Sequence, residues 1–294
     1  MREPRPSRML CGTPDGCGWC PDLADHRDYS LEHETIVMML RQFKMRSRSR
    51  FKLPHSVDWR EYCGPVDDQQ GLATSSAHAC VALIQQFERR STGRLVQLSR
   101  LFVDHTARRM DNGTTSAALS LRTVFKSAVR CGIPPEKYWP YDSSHLERMP
   151  DGFAYSFQRD FRAIRYVRLD SRQSTGDEIL ERLQLFLAAG FSIAFGFPVY
   201  NSISDEAEIA FPTAADAVLG GQAVTAVGFD DRLRIRSDKG ALLIRNCWGP
   251  EWGDRGYGWL PYSYVRERLA ADFWTLFKPS WLRSGEFEFP PVSA

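Results

Sequence analysis

Apolar side chains in this chain recur with one spacing in its first half and another in its second, and that change restricts the fold more than any other feature. From Ser75 to Arg90, the residues Cys80, Leu83, Ile84 and Phe87 fall at helical spacing, and Ser91-Thr92-Gly93 supplies a stop. A long helix with one apolar stripe predicts a central, buried element. Further helices are expected over roughly 99–110 and 119–130, the second ending before Gly132-Ile133-Pro134-Pro135. From Phe191 onward, the runs Ile193–Phe197, Ala223–Phe229 and Ala241–Arg245 read as strands separated by Gly/Asp turns. Helices followed by strands predict an α+β protein with two lobes.

Composition narrows the function classes. The 294 residues can bury a large core, and a formal net charge of +2 makes no bulk electrostatic case for nucleic acid or a membrane surface. No apolar run approaches the length of a bilayer span, and Met1-Arg2-Glu3-Pro4-Arg5-Pro6 has no apolar signal stretch, so a cytoplasmic protein is expected. Seven cysteines at irregular spacing fit reduced thiols better than a disulfide framework. Cys11, Cys17 and Cys20 cluster within a Gly/Pro-rich stretch, and His26 or Cys63 would have to complete a metal knuckle. No second CxxC pair closes a tetrahedral site, so a loop with free thiols is expected, with no metal and no cofactor.

Residues 1–52 form a loop-rich arm with one helix-like stretch from Leu31 to Phe43, ending in the basic run Arg46-Ser47-Arg48-Ser49-Arg50. A compact domain follows over 53–278, with a helical lobe over about 53–160 and a β-rich lobe over about 161–278. The tail from 279 to 294 reads as an extended appendage.

Several segments carry a shared signature. Val57-Asp58-Trp59-Arg60, the stretch Asp68-Gln69-Gln70-Gly71-Leu72-Ala73-Thr74-Ser75-Ser76-Ala77, Trp139-Pro140-Tyr141, Gly220-Gly221-Gln222-Ala223-Val224 and Asn246-Cys247-Trp248-Gly249-Pro250-Glu251-Trp252-Gly253 occur in that order. Together they resemble the papain superfamily of cysteine peptidases, particularly its bacterial branch, from about residue 19 to 277. The resemblance implies a papain-like two-lobe fold, with a helical N-terminal lobe around a long central helix and an antiparallel, barrel-like β lobe.

It also implies a site. In such proteins a thiolate at the start of the central helix attacks the substrate, a histidine moves protons, an asparagine orients the imidazole, and a glutamine amide helps form an oxyanion hole. Mapped residue by residue, the nucleophile position is Ser75, or Ser76 if the register slips by one. The base position is Gln222, the orienting position Asn246, and the oxyanion position Gln69. A glutamine amide cannot exchange a proton near neutral pH. All six histidines precede residue 146, so none lies on the half that supplies the family's base; His78, three residues after Ser75, is the nearest. The family's glycine-lined wall maps onto Thr114–Ser120, which contains no glycine. Trp248, Trp252 and Tyr257 read as packing of the second lobe.

Three readings follow. The first is a pseudoprotease that binds a peptide or protein through the vestigial cleft, the arm or the tail. The second is a rewired hydrolase using Ser75, and the third a purely structural component of an assembly.

Overall fold

A computed structural model describes residues 17–22, 25–42, 53–111, 118–146, 148–171 and 173–287. Cys11, the basic run Arg46–Arg50, residues 114–117 and Phe289-Pro290-Pro291 lie outside the described residues. The chain runs α1 (Glu34–Gln42), β1 (Ser56–Asp58), α2 (Ser75–Thr92), α3 (Arg100–Met110), α4 (Leu121–Cys131), β2 (Arg165–Arg168), α5 (Gly176–Ala188) and β3 (Ile193–Tyr200). It continues with β4 (Val218–Ile235), β5 (Asp238–Arg245), β6 (Tyr257–Pro261), α6 (Ser263–Arg266), β7 (Ala271–Phe277) and α7 (Pro279–Leu282).

The expected α+β architecture is present. The helix α2 ends at Gly93, whose φ of 73° places it in the left-handed region that stops a helix cheaply. Ser99 and Ser120 cap α3 and α4 by accepting the N–H groups of Phe102 and Thr123. The strands form an antiparallel sheet in the order β2-β7-β3-β4-β5-β6, with β1 paired to β4. Helix α2 lies across this sheet, packing on β4, β3 and β7 with one side and on α3 and α4 with the other. Its buried stripe of Cys80, Leu83, Ile84 and Phe87 is the expected one.

Two expectations need correction. The tail is no free appendage as far as it is described: Trp281 and Phe287 are buried against Phe87, with ring centroids 5.4 and 5.3 Å away. Cys17 is disulfide-bonded, whereas Cys20, Cys63, Cys80, Cys131 and Cys247 are free thiols. Two further elements cross between the halves. Helix α5, held by a Thr175/Glu178 capping box, sits in the second half, and β1 joins the sheet from the first.

A buried charge cluster fastens the N-terminal arm to this frame. Arg168 on β2 donates to Asp272 at 2.7 Å and to Asp170 at 3.1 Å. Arg122 on α4 pairs with Asp22 at 2.9 Å and with Asp28 at 2.7 Å, and the Asp22 N–H donates to Asp272 at 2.6 Å. Four carboxylates thus share two guanidiniums. Asp272 is fully buried, and that burial outweighs its contact with Arg168 and raises its carboxyl to about 7.

Two outcomes are expected. Arg168→Met strips the cation from buried carboxylates and should cost about 3–5 kcal/mol in urea unfolding; a loss below about 1 kcal/mol would show that this guanidinium does not hold the cluster. Because the folded Asp272 pKa lies above its unfolded value, its proton contributes stability that is complete below about pH 4 and is lost as pH rises through about 7. Asp272 has a φ of 59°, which asparagine tolerates. Asp272→Asn should therefore flatten the decline in unfolding free energy between about pH 5 and 8, and an unaltered decline would rule out a protonated Asp272.

Candidate active site

The start of α2 faces the strand β4, as the papain-like arrangement requires. Ser75 is the first residue of the helix and has no exposed surface; its Oγ accepts the backbone N–H of Ala223 at 3.1 Å. That contact sets Ser75 against Ala223, the residue next to Gln222 on β4. Ser76 points elsewhere, donating to the carbonyls of Gly18 and Leu119 at 3.1 and 2.8 Å.

Gln222, Gln69, Asn246 and Cys247 close into one buried polar cluster. The Gln222 Nε2 lies 3.0 Å from Gln69 Oε1, 3.0 Å from Asn246 Oδ1 and 3.4 Å from Cys247 Sγ. The Cys247 thiol donates to the same Gln69 oxygen at 2.9 Å. Burial pushes that thiol well up in pKa, so it stays protonated and is no nucleophile. Gln69 turns its Nε2 to the carbonyl of Leu72 at 2.7 Å rather than toward Ser75. One of the two N–H groups of that amide is thus held by a backbone acceptor. The Nδ2 of Asn246, which would orient an imidazole, is buried without a partner among the described residues.

His78 is engaged with Thr74 and Tyr141. Its Nδ1 lies 3.0 Å from the Thr74 carbonyl, and its ring meets Tyr141 edge-on at 5.0 Å. No hydrogen bond among the described residues joins it to Ser75. Burial, reinforced by Arg100, lowers its pKa to about 4 and leaves the ring neutral. Tyr141 continues this layer by donating to the Gln69 carbonyl at 3.0 Å and pairing with Thr74 Oγ1 at 2.7 Å. Arg108, itself held by Asp104, donates to the Ala73 carbonyl at 2.7 Å and fixes the loop ahead of Ser75.

The groove above Ser75 is filled by the chain's own residues 18–20. Gly18 and Cys20 bracket Leu119 in a short parallel ladder: Leu119 N–H donates to the Gly18 carbonyl at 3.1 Å, and Cys20 N–H donates to the Leu119 carbonyl at 3.4 Å. On the opposite side Trp19 N–H donates to the Gly221 carbonyl at 3.0 Å. A Cβ added at Gly18 would lie 2.5 Å from the Ser75 nitrogen, and one at Gly196 only 1.9 Å from the Trp19 ring. Glycine at these positions is what lets the arm thread between the lobes. The wall that maps onto Thr114–Ser120 is thus described only from Ala118, and there Leu119 has spent both backbone groups on the arm.

The sequence reading placed Ser75, Gln222, Asn246 and Gln69 together, and the structure brings them together. It missed the roles of Gly18, Trp19, Cys247 and Tyr141. The one available signal was an aromatic residue between a glycine and a cysteine in an otherwise polar arm. Cys17, Cys20 and Cys63 form no metal cluster among the described residues. Trp248 and Trp252 are buried and pack edge-on at 5.2 Å, as expected for structural aromatics.

Comparison with known proteins agrees with this geometry. The chain is 32% identical over 186 residues to an uncharacterized peptidase C1-like protein of Acanthamoeba polyphaga mimivirus, covering 60% of this chain and 58% of that protein, so it spans less than two thirds of that relative. It is 24% identical over 220 residues to mexicain of Jacaratia mexicana, with 69% of this chain and 86% of mexicain covered. Its fold is similar to the crystal structure of xylellain, a cysteine protease from Xylella fastidiosa, at a TM-score of 0.70 and 28% identity, covering 90% of this chain and 97% of that one. Residues 53–267 match the family model described as papain family cysteine protease. With its helix-on-sheet frame, its paired site positions and that match over most of its length, the chain belongs to the papain family.

Proposed function

We propose that this chain is a non-catalytic member of the papain family, a pseudoprotease that serves as a peptide- or protein-binding or scaffolding subunit. One observation carries the reading: the base position holds Gln222, and its amide is bound to Gln69 and Asn246 instead of to the nucleophile position. A serine hydroxyl needs a base to lose its proton at neutral pH, and removing a triad member lowers rates by several orders of magnitude. The helix start alone does not supply that base. Occupation of the groove by Gly18–Cys20 supports the same reading, since a peptide in the usual pose would have to displace the arm.

The rewired-hydrolase alternative would need a proton acceptor at Ser75, and the contact that Ser75 makes is with an N–H donor. A purely structural role in an assembly remains compatible with a filled groove, and the outer faces of the molecule would then carry the contacts. The free thiols favour a cytoplasmic setting, and the Cys17 disulfide is the observation against it.

The direct test is hydrolysis of a fluorogenic peptide panel. No turnover above buffer is expected, with Ser75→Ala indistinguishable from the unaltered chain; turnover that Ser75→Ala abolishes would refute the proposal. A second test addresses the register and the filled groove together. In the double variant Ser75→Cys, Gln222→His, alkylation at position 75 by iodoacetamide, followed by peptide mass mapping, should be slow because Gly18–Cys20 cover it. Adding Trp19→Ala should speed it at least tenfold, at a cost in stability of about 3–5 kcal/mol for the lost aromatic. Fast alkylation without that third change would mean the groove opens freely. Reactivity gained only by Ser76→Cys would mean the register is off by one.

A further inference from the structure

A second concave site lies on the helical lobe, away from the Ser75 groove. A pocket of about 360 Å3 opens between α2, the segments before α3 and after α4, residues 157–164 and the described C-terminal segment, with walls formed chiefly by Ile84, Leu98, Ile133, Phe161, Ile164 and Trp281. That volume is in the range of sites that seat a ligand group, and apolar walls of this kind are typical of them. Glu88, Lys278 and Asp160 also line it; Glu88 and Lys278 are paired with each other at 3.6 Å, so Asp160 is the one charge of its lining left outside that pair.

Beside the pocket stands an exposed aromatic ridge. Phe157 lines the pocket and stacks on Tyr138 at 5.7 Å, while Phe153 meets Tyr138 edge-on at 5.0 Å and Phe157 at 5.6 Å. Tyr138 and Phe153 are 42% and 54% exposed, an unusual amount of aromatic surface to leave in water. The ridge is carried by the 3-10 turns Glu136–Tyr138 and Gly152–Asp160, the second packed on α4.

The charges around the ridge are mainly positive. Lys137 lies 4.8 Å from the Tyr138 ring, Arg159 and Arg162 follow Phe157 on the exposed side, and Arg162 donates to Gln158 at 2.7 Å. Arg130, exposed at the end of α4, accepts through its carbonyl from the Gln158 amide. The acids nearby are Asp160, Asp151 and Glu136; Asp151 caps its turn by accepting the Ala154 N–H, and Glu136 is held by Arg100 at 2.9 Å. A chain of small net charge therefore concentrates cations next to its exposed aromatics and its apolar pocket.

We infer that this face docks an acidic protein segment bearing a large apolar side chain, the side chain seated in the Ile84–Trp281 pocket and the acids paired with Lys137, Arg130, Arg159 and Arg162. Exposed aromatics next to a pocket are the arrangement in which a few residues carry most of a contact's energy. Carboxylates on the segment would complement the basic rim and speed encounter. The inference does not depend on whether the Ser75 groove hydrolyses anything.

The probe is a fluorescein-labelled peptide rich in aspartate and glutamate with a central phenylalanine, titrated against the full chain by anisotropy. Saturable binding is expected, weakened at least tenfold by the double change Tyr138→Ala, Phe153→Ala and by replacing the peptide's phenylalanine with alanine. Arg159→Glu, Arg162→Glu should weaken it and reduce its salt dependence. All four positions are exposed, so thermal midpoints should stay within a few degrees of the unaltered chain and confirm folding. Absence of saturable binding, or binding untouched by both double changes, would overturn the inference. So would a dimer in sedimentation equilibrium that Phe153→Glu dissolves, because a second copy would then be the occupant.

Discussion

Everything around Ser75 depends on how closely the arm can approach the start of α2. Gly18 sits where any side chain would strike the Ser75 nitrogen, and Trp19 lies over Gly196 and Gly221 on the opposing strands. Van der Waals exclusion at these points decides whether the segment lies in the groove or outside it. The hydrogen bonds to Leu119 and Gly221 then follow, because the backbone is already at strand-pairing distance. The Arg122 and Arg168 cluster completes the arrangement by holding Asp22 and Asp28 a few residues further on. Sterics in the groove and charge on the flank therefore fix one short segment at two places.

Under the proposed reading, an amide at the Gln222 position has a physical consequence beyond its inability to carry a proton. A catalytic cluster keeps donors and acceptors aimed at groups that arrive only with substrate, and such groups are costly to bury unpaired. Here the Gln222 amide, the Gln69 amide and the Cys247 thiol satisfy one another, and the Ser75 hydroxyl accepts from the backbone of Ala223. Two atoms of the cluster, Gln222 Oε1 and Asn246 Nδ2, stay buried without a partner among the described residues.

The fold was legible in the sequence wherever the pattern was local. The stripe on α2, its glycine stop and the apolar runs of β3, β4 and β5 depend on neighbours within a few residues, and the structure reproduces them with strand ends extended. The site positions were legible only through motifs, since nothing in their spacing alone brings Gln69, Ser75, Gln222 and Asn246 together. What escaped was long-range. Strand β7, Ala271–Phe277, is buried on both faces with Asp272 and Thr275 set among its apolar residues, so it carries no period to mark it. Trp19, Trp281 and Phe287 stand in segments rich in polar or turn-forming residues, and their burial against distant partners leaves no local trace.

The contrast between the two concave regions bears on how such a molecule would act. The groove at Ser75 is polar at its floor and filled by Gly18–Cys20, so any external ligand there competes with a segment already present at high effective concentration. The pocket behind Ile133 and Phe161 has no such internal competitor among its lining residues, and its exposed aromatics sit on short turns braced by α4. Binding at that face would forgo none of the arm's contacts and would order little that is not ordered already. On energetic grounds the face that costs less to occupy is the more natural place for a partner, and the groove becomes the element that keeps the two lobes in register beneath it.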